Sequence, residues 1–230
     1  MAFALSVIVL QTLLATLWVA APICLVIMCI SRHNKAICHI QDAIMLGSKG
    51  GCFTIMDATA RSALPSGVSA TRLPSWMLPD EPIGSLNRLR PDLLLIDGLT
   101  DLDVSTHDLA DPVVLNHFQQ SCIIHVLEVG YTSDASYVTT LARKHFQHVL
   151  LCSKLRAAGW RFHSSLPSSP SHILLLGTSG CIFKPCFTIL TELGLLPPDI
   201  RHIMHALHLQ AVSFANSIVR LRNSLIWKPP

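Results

Sequence analysis

The chain opens on an unbroken apolar run, with no charged residue from Met1 to Ser31, and polar positions begin to interleave only after Arg32. Ile37, Ile40 and Ile44 then recur at helical spacing between Asn34, a capping residue type, and Gly47, a stop signal, which predicts a short helix. The stretch GGCFTIMDA that follows reads as a strand. From Arg61 to Asn87 four prolines, several serines and two glycines break every period, so a linker or irregular loop is predicted there.

Three apolar runs of strand length come next: DLLLID (92–97), CIIHVLEV (122–129) and HILLLG (172–177). The first and third are continuous rather than alternating, which predicts strands covered on both faces. Between the second and third, Val138, Leu141, Phe146, Val149 and Leu155 mark a helical stripe over residues 136–158, closed by Gly159. A strand, helix, strand succession implies a right-handed crossover and a mixed sheet. After GTSG a helix is predicted near Lys184 to Leu193. Pro197, Pro198 and Asp199 then start the clearest one, whose apolar face runs through Ile200, Ile203, Met204, Leu207, Ala211, Phe214, Ile218 and Leu221. The fold class is α/β, a mixed sheet flanked by helices, with an N-terminal apolar helix and a long C-terminal helix.

Composition sharpens the reading of the first run. Half of the residues are apolar, 13% are charged and the mean hydropathy is +0.48, which is rich in apolar residues for a globular chain. Residues 4–30 exceed the roughly 20 apolar residues that span a bilayer core. No basic residue precedes them and Arg32, His33 and Lys35 follow, so a retained single span with a cytosolic C-terminal side is favoured over a cleaved signal peptide. A buried helix or a translated remnant is the alternative, which would place the protein in the nucleus or cytoplasm. The organisation expected is residues 1–31 as apolar helix, 32–87 as a linker region with a short helix and strand, and 88–230 as an α/β domain with C-terminal helices. The eight cysteines are irregularly spaced, which argues against a disulfide framework.

Charge is segregated. Ten acids lie between Asp80 and Asp134 against Arg88 and Arg90, and ten Lys or Arg follow Ala135 against Glu192 and Asp199. An acidic segment able to hold a hard cation thus precedes a basic one able to contact phosphate, although solvated surface accounts for the same residues singly. Asp92 follows Pro91 at the start of one buried strand and Glu128 lies near the end of the next. Two such acids can converge on one Mg²⁺, which takes one or two carboxylates and completes its shell with water and phosphate oxygens. Phosphodiester cleavage by such a cation benefits from a lysine near the attacking water. Asp97 before Gly98 reads as a turn former rather than a ligand. His202, His205 and His208 walk around a helix and read as surface.

RPDLLLIDG, IHVLEVGYT, a helix containing ARKHF, and ILLLGTSG together resemble the PD-(D/E)xK restriction-like endonuclease domain at the C-terminus of certain non-LTR retrotransposon polyproteins, here without the polymerase. The resemblance covers residues 88–193. Upstream, the segment from Arg32 is similar to the region between reverse transcriptase and endonuclease in such frames, with His33 and Cys38 resembling half of a zinc knuckle whose other half would fall at Cys24 and Cys29. The resemblance implies Mg²⁺-dependent DNA cleavage, or an inactive relic of it. Asp92 matches the PD aspartate and Glu128 the second acid, both as metal ligands, while Lys144 supplies from the following helix the lysine that Gly130 replaces on the strand. Arg143, Lys154 and Arg156 are the candidate DNA contacts; no small-molecule substrate is implied. The departures from the pattern are Gly130 itself and the wide separation of Asp92 and Glu128, which requires the acidic insertion Asp101 to Asp111 to loop out. The rival reading is a single-pass membrane protein with a non-catalytic cytosolic interaction domain.

Overall fold

The computed structural model describes residues 26–47, 51–56, 72–86, 89, 91–163 and 171–226. Most of the expected span, residues 4–30, lies outside them, as do Cys24, Arg88 and Arg90. Among the described residues no helix is long and apolar enough to cross a membrane.

A four-stranded sheet organises the chain in the order β1 (Cys52–Met56), β2 (Leu93–Asp97), β3 (Ile123–Thr132), β4 (Ser171–Gly177). The first two pairings are antiparallel and β3 with β4 is parallel, so the sheet is mixed. Alternate residues sort onto two faces. Leu93, Leu95, Leu127, Val129, Leu174 and Leu176 pack with Ala36, Ile37, Ile40 and Ile44 of helix α1 (residues 26–47) and with Ile200, Ile203, Met204 and Leu207. Leu94, Ile96, Ile124 and Val126 pack with Met77, Leu115, Phe118, Leu151 and Leu155. Burial on both faces is why the strands read as continuous apolar runs.

Several elements differ from the sequence expectation for identifiable reasons. Asn34 does not cap α1, because helix already runs from residue 26 and Asn34 falls inside it. Arg32, expected to flank a membrane, is sandwiched between the rings of Tyr131, 3.7 Å from its centroid, and Phe214, at 4.0 Å. Within the expected linker, residues 72–86 are packed rather than loose: a 3₁₀ turn at Ser75–Met77 buries Met77 and Leu78, and α2 (Ile83–Leu86) follows. Trp160 Nε1–H donates to Met77 O at 2.9 Å and fastens this segment to the core.

The acid-rich insertion forms two helices. Thr100 and Asp103 make a reciprocal capping box at the start of α3 (Asp101–Thr106), and Asp111 caps α4 (Pro112–Ser121) through Val113 N–H at 2.8 Å. Asp103, as the third helical residue of its capping box, and Asp111, as an N-cap, thus satisfy the backbone at two helix starts. Asp97 is exposed beside Gly98, whose φ of +88° makes the turn.

The helix expected over 136–158 is two, α5 (Tyr137–Gln147) and α6 (Val149–Ala157), separated at His148. The expected stripe is also partly inverted: Val138 and Phe146 are exposed, while Tyr137, Thr140, Leu141 and Lys144 line the less exposed face. Helices α7 (Pro185–Glu192) and α8 (Pro197–Ile226) complete the fold, and α8 keeps its apolar face as read.

Candidate active site

The register of β2 with β3 pairs Leu93 with Leu127, so one step beyond brings Asp92 level with Glu128. Their carboxylates are held by a compact set of partners. Asp92 Oδ2 accepts the backbone N–H of Val129 at 2.7 Å and His33 Nε2–H of α1 at 3.1 Å. The same His33 Nε2 lies 3.2 Å from Val129 O. Both partners are acceptors, so Nε2 carries the hydrogen. Burial works to lower the His33 pKa, but the hydrogen bond and charge of Asp92 outweigh it and hold the imidazole above its usual value.

Glu128 is 2% exposed, and a carboxylate so buried needs partners on both oxygens. Lys144 donates to Oε1 and His148 Nε2–H donates to Oε2 at 2.6 Å. Burial works to raise its pKa, yet the bonds from His148 and Lys144 win and keep it below the ordinary carboxylate value. Lys144 Nζ also reaches Val129 O at 3.3 Å, so the ammonium bridges the two acids' shared backbone segment.

Gly130 explains how a helix can deliver this lysine. A Cβ at Gly130 would stand 3.2 Å from Lys144 Cε, so the missing side chain leaves room for the Lys144 stem. The departure from the family pattern at Gly130 and the lysine at 144 are thus two halves of one packing arrangement.

The structure brings Asp92, Glu128 and Lys144 together and adds His148, which the sequence did not single out, and His33, which it offered only as half of a zinc knuckle. His148 follows Lys144 by four, so a search for polar side chains on the inward face of α5 would have reached it. His33 had no such local signal, because its partner lies 59 residues away. Of the candidate DNA contacts, Arg143 is exposed next to Lys144, Arg156 lies over the Phe162 ring at 5.2 Å, and Lys154 is paired with Glu81. His33 is bonded to Asp92 and Cys38 is half-buried on the same helix, with Cys29 exposed.

The donors suit a hard cation, since two carboxylates and the Val129 carbonyl offer only oxygen. Among the described residues no three His, Cys, Asp or Glu side chains form a ready metal cluster. A cation here would therefore rely on Asp92 and Glu128, with water and phosphate oxygens for the rest, a set that Mg²⁺ accepts. Comparisons of the chain with family models, with curated proteins and with solved structures find no match.

Proposed function

We propose that the four-stranded sheet with the helices packed on it, α1 to α8, forms a restriction-like endonuclease domain of retroelement descent that cleaves DNA phosphodiesters with a divalent cation. One observation carries the reading: Asp92 from the start of β2, Glu128 from β3 and Lys144 from α5 meet around the backbone of Val129. Three charged side chains from separate elements are costly to gather in a largely buried place.

Asp92 and Glu128 would hold the cation, which when bound supplies charge stabilisation and a more acidic water. The Val129 N–H and His148 fix the two carboxylates, so neither must be reoriented during the reaction. Lys144 sits on a flexible four-carbon stem, and its ammonium can pass from Glu128 to the attacking water or the scissile phosphate without backbone movement. Exposed Arg143 and Arg156 lie on the same pair of helices and would contact flanking phosphates.

A Mg²⁺- or Mn²⁺-dependent nicking assay on supercoiled plasmid with the full chain tests the proposal. Nicking is expected, and Asp92→Ala and Glu128→Ala should each remove it. A folded protein that nicks with neither cation overturns the activity and leaves a relic of it.

A further inference from the structure

The other end of the sheet carries a polar cluster that the nuclease reading does not use. His125 on β3 and His172 on β4 alternate with Leu127 and Leu174, which places both on the sheet face covered by α1, α7 and α8. His125 stands three residues before Glu128, about 10 Å along the strand and on the opposite face. His125 Nδ1 and His172 Nε2 are 3.3 Å apart. The ring of His163 stacks beside His125 with centroids 5.6 Å apart, against 5.5 Å for His125 and His172. Glu192 Oε2 of α7 lies 3.5 Å from His172 Nδ1. A cavity of about 460 Å³ opens here, lined by Asp97, His125, His163 and Glu192 among others.

These distances have a chemical meaning. Two imidazoles on one tetrahedral zinc, with bonds of about 2.0–2.1 Å, have ligating nitrogens roughly 3.3 Å apart, the spacing at which the hydrogen bond between His125 and His172 already holds them. A carboxylate on the far nitrogen of a histidine fixes its tautomer and ring angle, which is the role Glu192 is placed to play for His172.

We propose that His125, His172 and His163 form a site for a borderline divalent transition-metal ion, with zinc as the type. Two of the nitrogens stand at ligand spacing as they are. The described side chains do not already converge as a set of three, so the third donor comes from rotation of the exposed His163 ring and the fourth from cavity water. An all-imidazole set with water favours zinc, nickel or copper over Mg²⁺, which separates this site chemically from the acid pair. Joining β3, β4 and the segment after α6, the ion would brace the sheet end away from Asp92.

The test is zinc titration of the full chain against a chromophoric chelator, with cobalt as spectroscopic probe. One equivalent should bind, and cobalt should give the intense visible bands of a tetrahedral site. His163→Ala changes an exposed ring and should leave the far-UV signal intact while weakening zinc at least about tenfold; Glu192→Gln should weaken it by a similar factor. Asp92→Ala should leave this equivalent in place, so the outcome is independent of the nuclease proposal. A folded His163→Ala chain that binds zinc as tightly as the parent, or cobalt bands of octahedral type, overturns the site.

Discussion

Asp92 accepts the backbone N–H of Val129 at 2.7 Å, so the acid that starts β2 is tied to the residue next to Glu128. Asparagine keeps an acceptor oxygen for that bond but not the charge. Asp92→Asn should therefore change stability by no more than about 1–2 kcal/mol while removing cation-dependent nicking. Urea titration beside the plasmid assay separates the two; nicking that survives in the folded variant excludes Asp92 as a ligand.

Glu128 holds two donors in a largely buried place, and removing it strands both. Glu128→Ala should destabilise the chain by about 3–5 kcal/mol, the range for leaving a buried partner uncompensated. A midpoint unchanged in urea would mean that Lys144 and His148 find water instead.

Gly130 and Lys144 compete for one space. Lys144→Ala should lower nicking roughly 10²-fold or more. Adding Gly130→Lys should recover part of that loss, since the amine then rises from the strand on the same face as Glu128. A Cβ at Gly130 also stands 3.0 Å from Leu175 Cδ2, so no recovery in a folded double variant would mean that α5 supplies something beyond the charge or that Leu175 turns the new side chain aside.

Two pH windows should be separable in zinc-free buffer. His125 is depressed to about 3, so between that value and the ordinary histidine value of 6.5 the unfolded chain binds more protons than the folded one. Its contribution is present above pH 6.5 and lost as pH falls toward 3, at up to about 1.4 kcal/mol per pH unit. Glu128 is also depressed, so its stabilisation is present above the ordinary glutamate value of 4.5 and is lost as pH falls through its folded pKa. His172 and His145 are depressed by burial as well and His33 is raised beside Asp92, so stability curves of His125→Asn should show a smaller upper window and an unchanged lower one.

DNA affinity, measured as a function of salt, should depend unequally on the three basic candidates. Charge reversal of Arg143 or Arg156 should reduce the log–log slope by roughly 0.9 for each phosphate that is no longer neutralised. Lys154→Ala should alter it less, because Glu81 already holds that ammonium.

Local pattern determined the strands and the long helix: Leu93 to Ile96 and Ile173 to Leu176 are continuously apolar because both sheet faces are covered, and that constraint is written into each residue. The face of α8 was legible for the same reason. What hydrophobicity could not determine was the orientation of α5, because Lys144 turns inward to meet a charge 16 residues away on another element, leaving Phe146 exposed. The pairing of His33 with Asp92, of His125 with His172 and of Gly130 with the Lys144 stem likewise depends on sheet register and helix docking. Sequence spacing alone carries no information on which distant polar groups will meet. The sequence requires of the insertion from Asp101 to Asp111 only that it loop out, and its tertiary setting is what makes it two helices, with Asp103 and Asp111 bonded to backbone N–H groups at their starts.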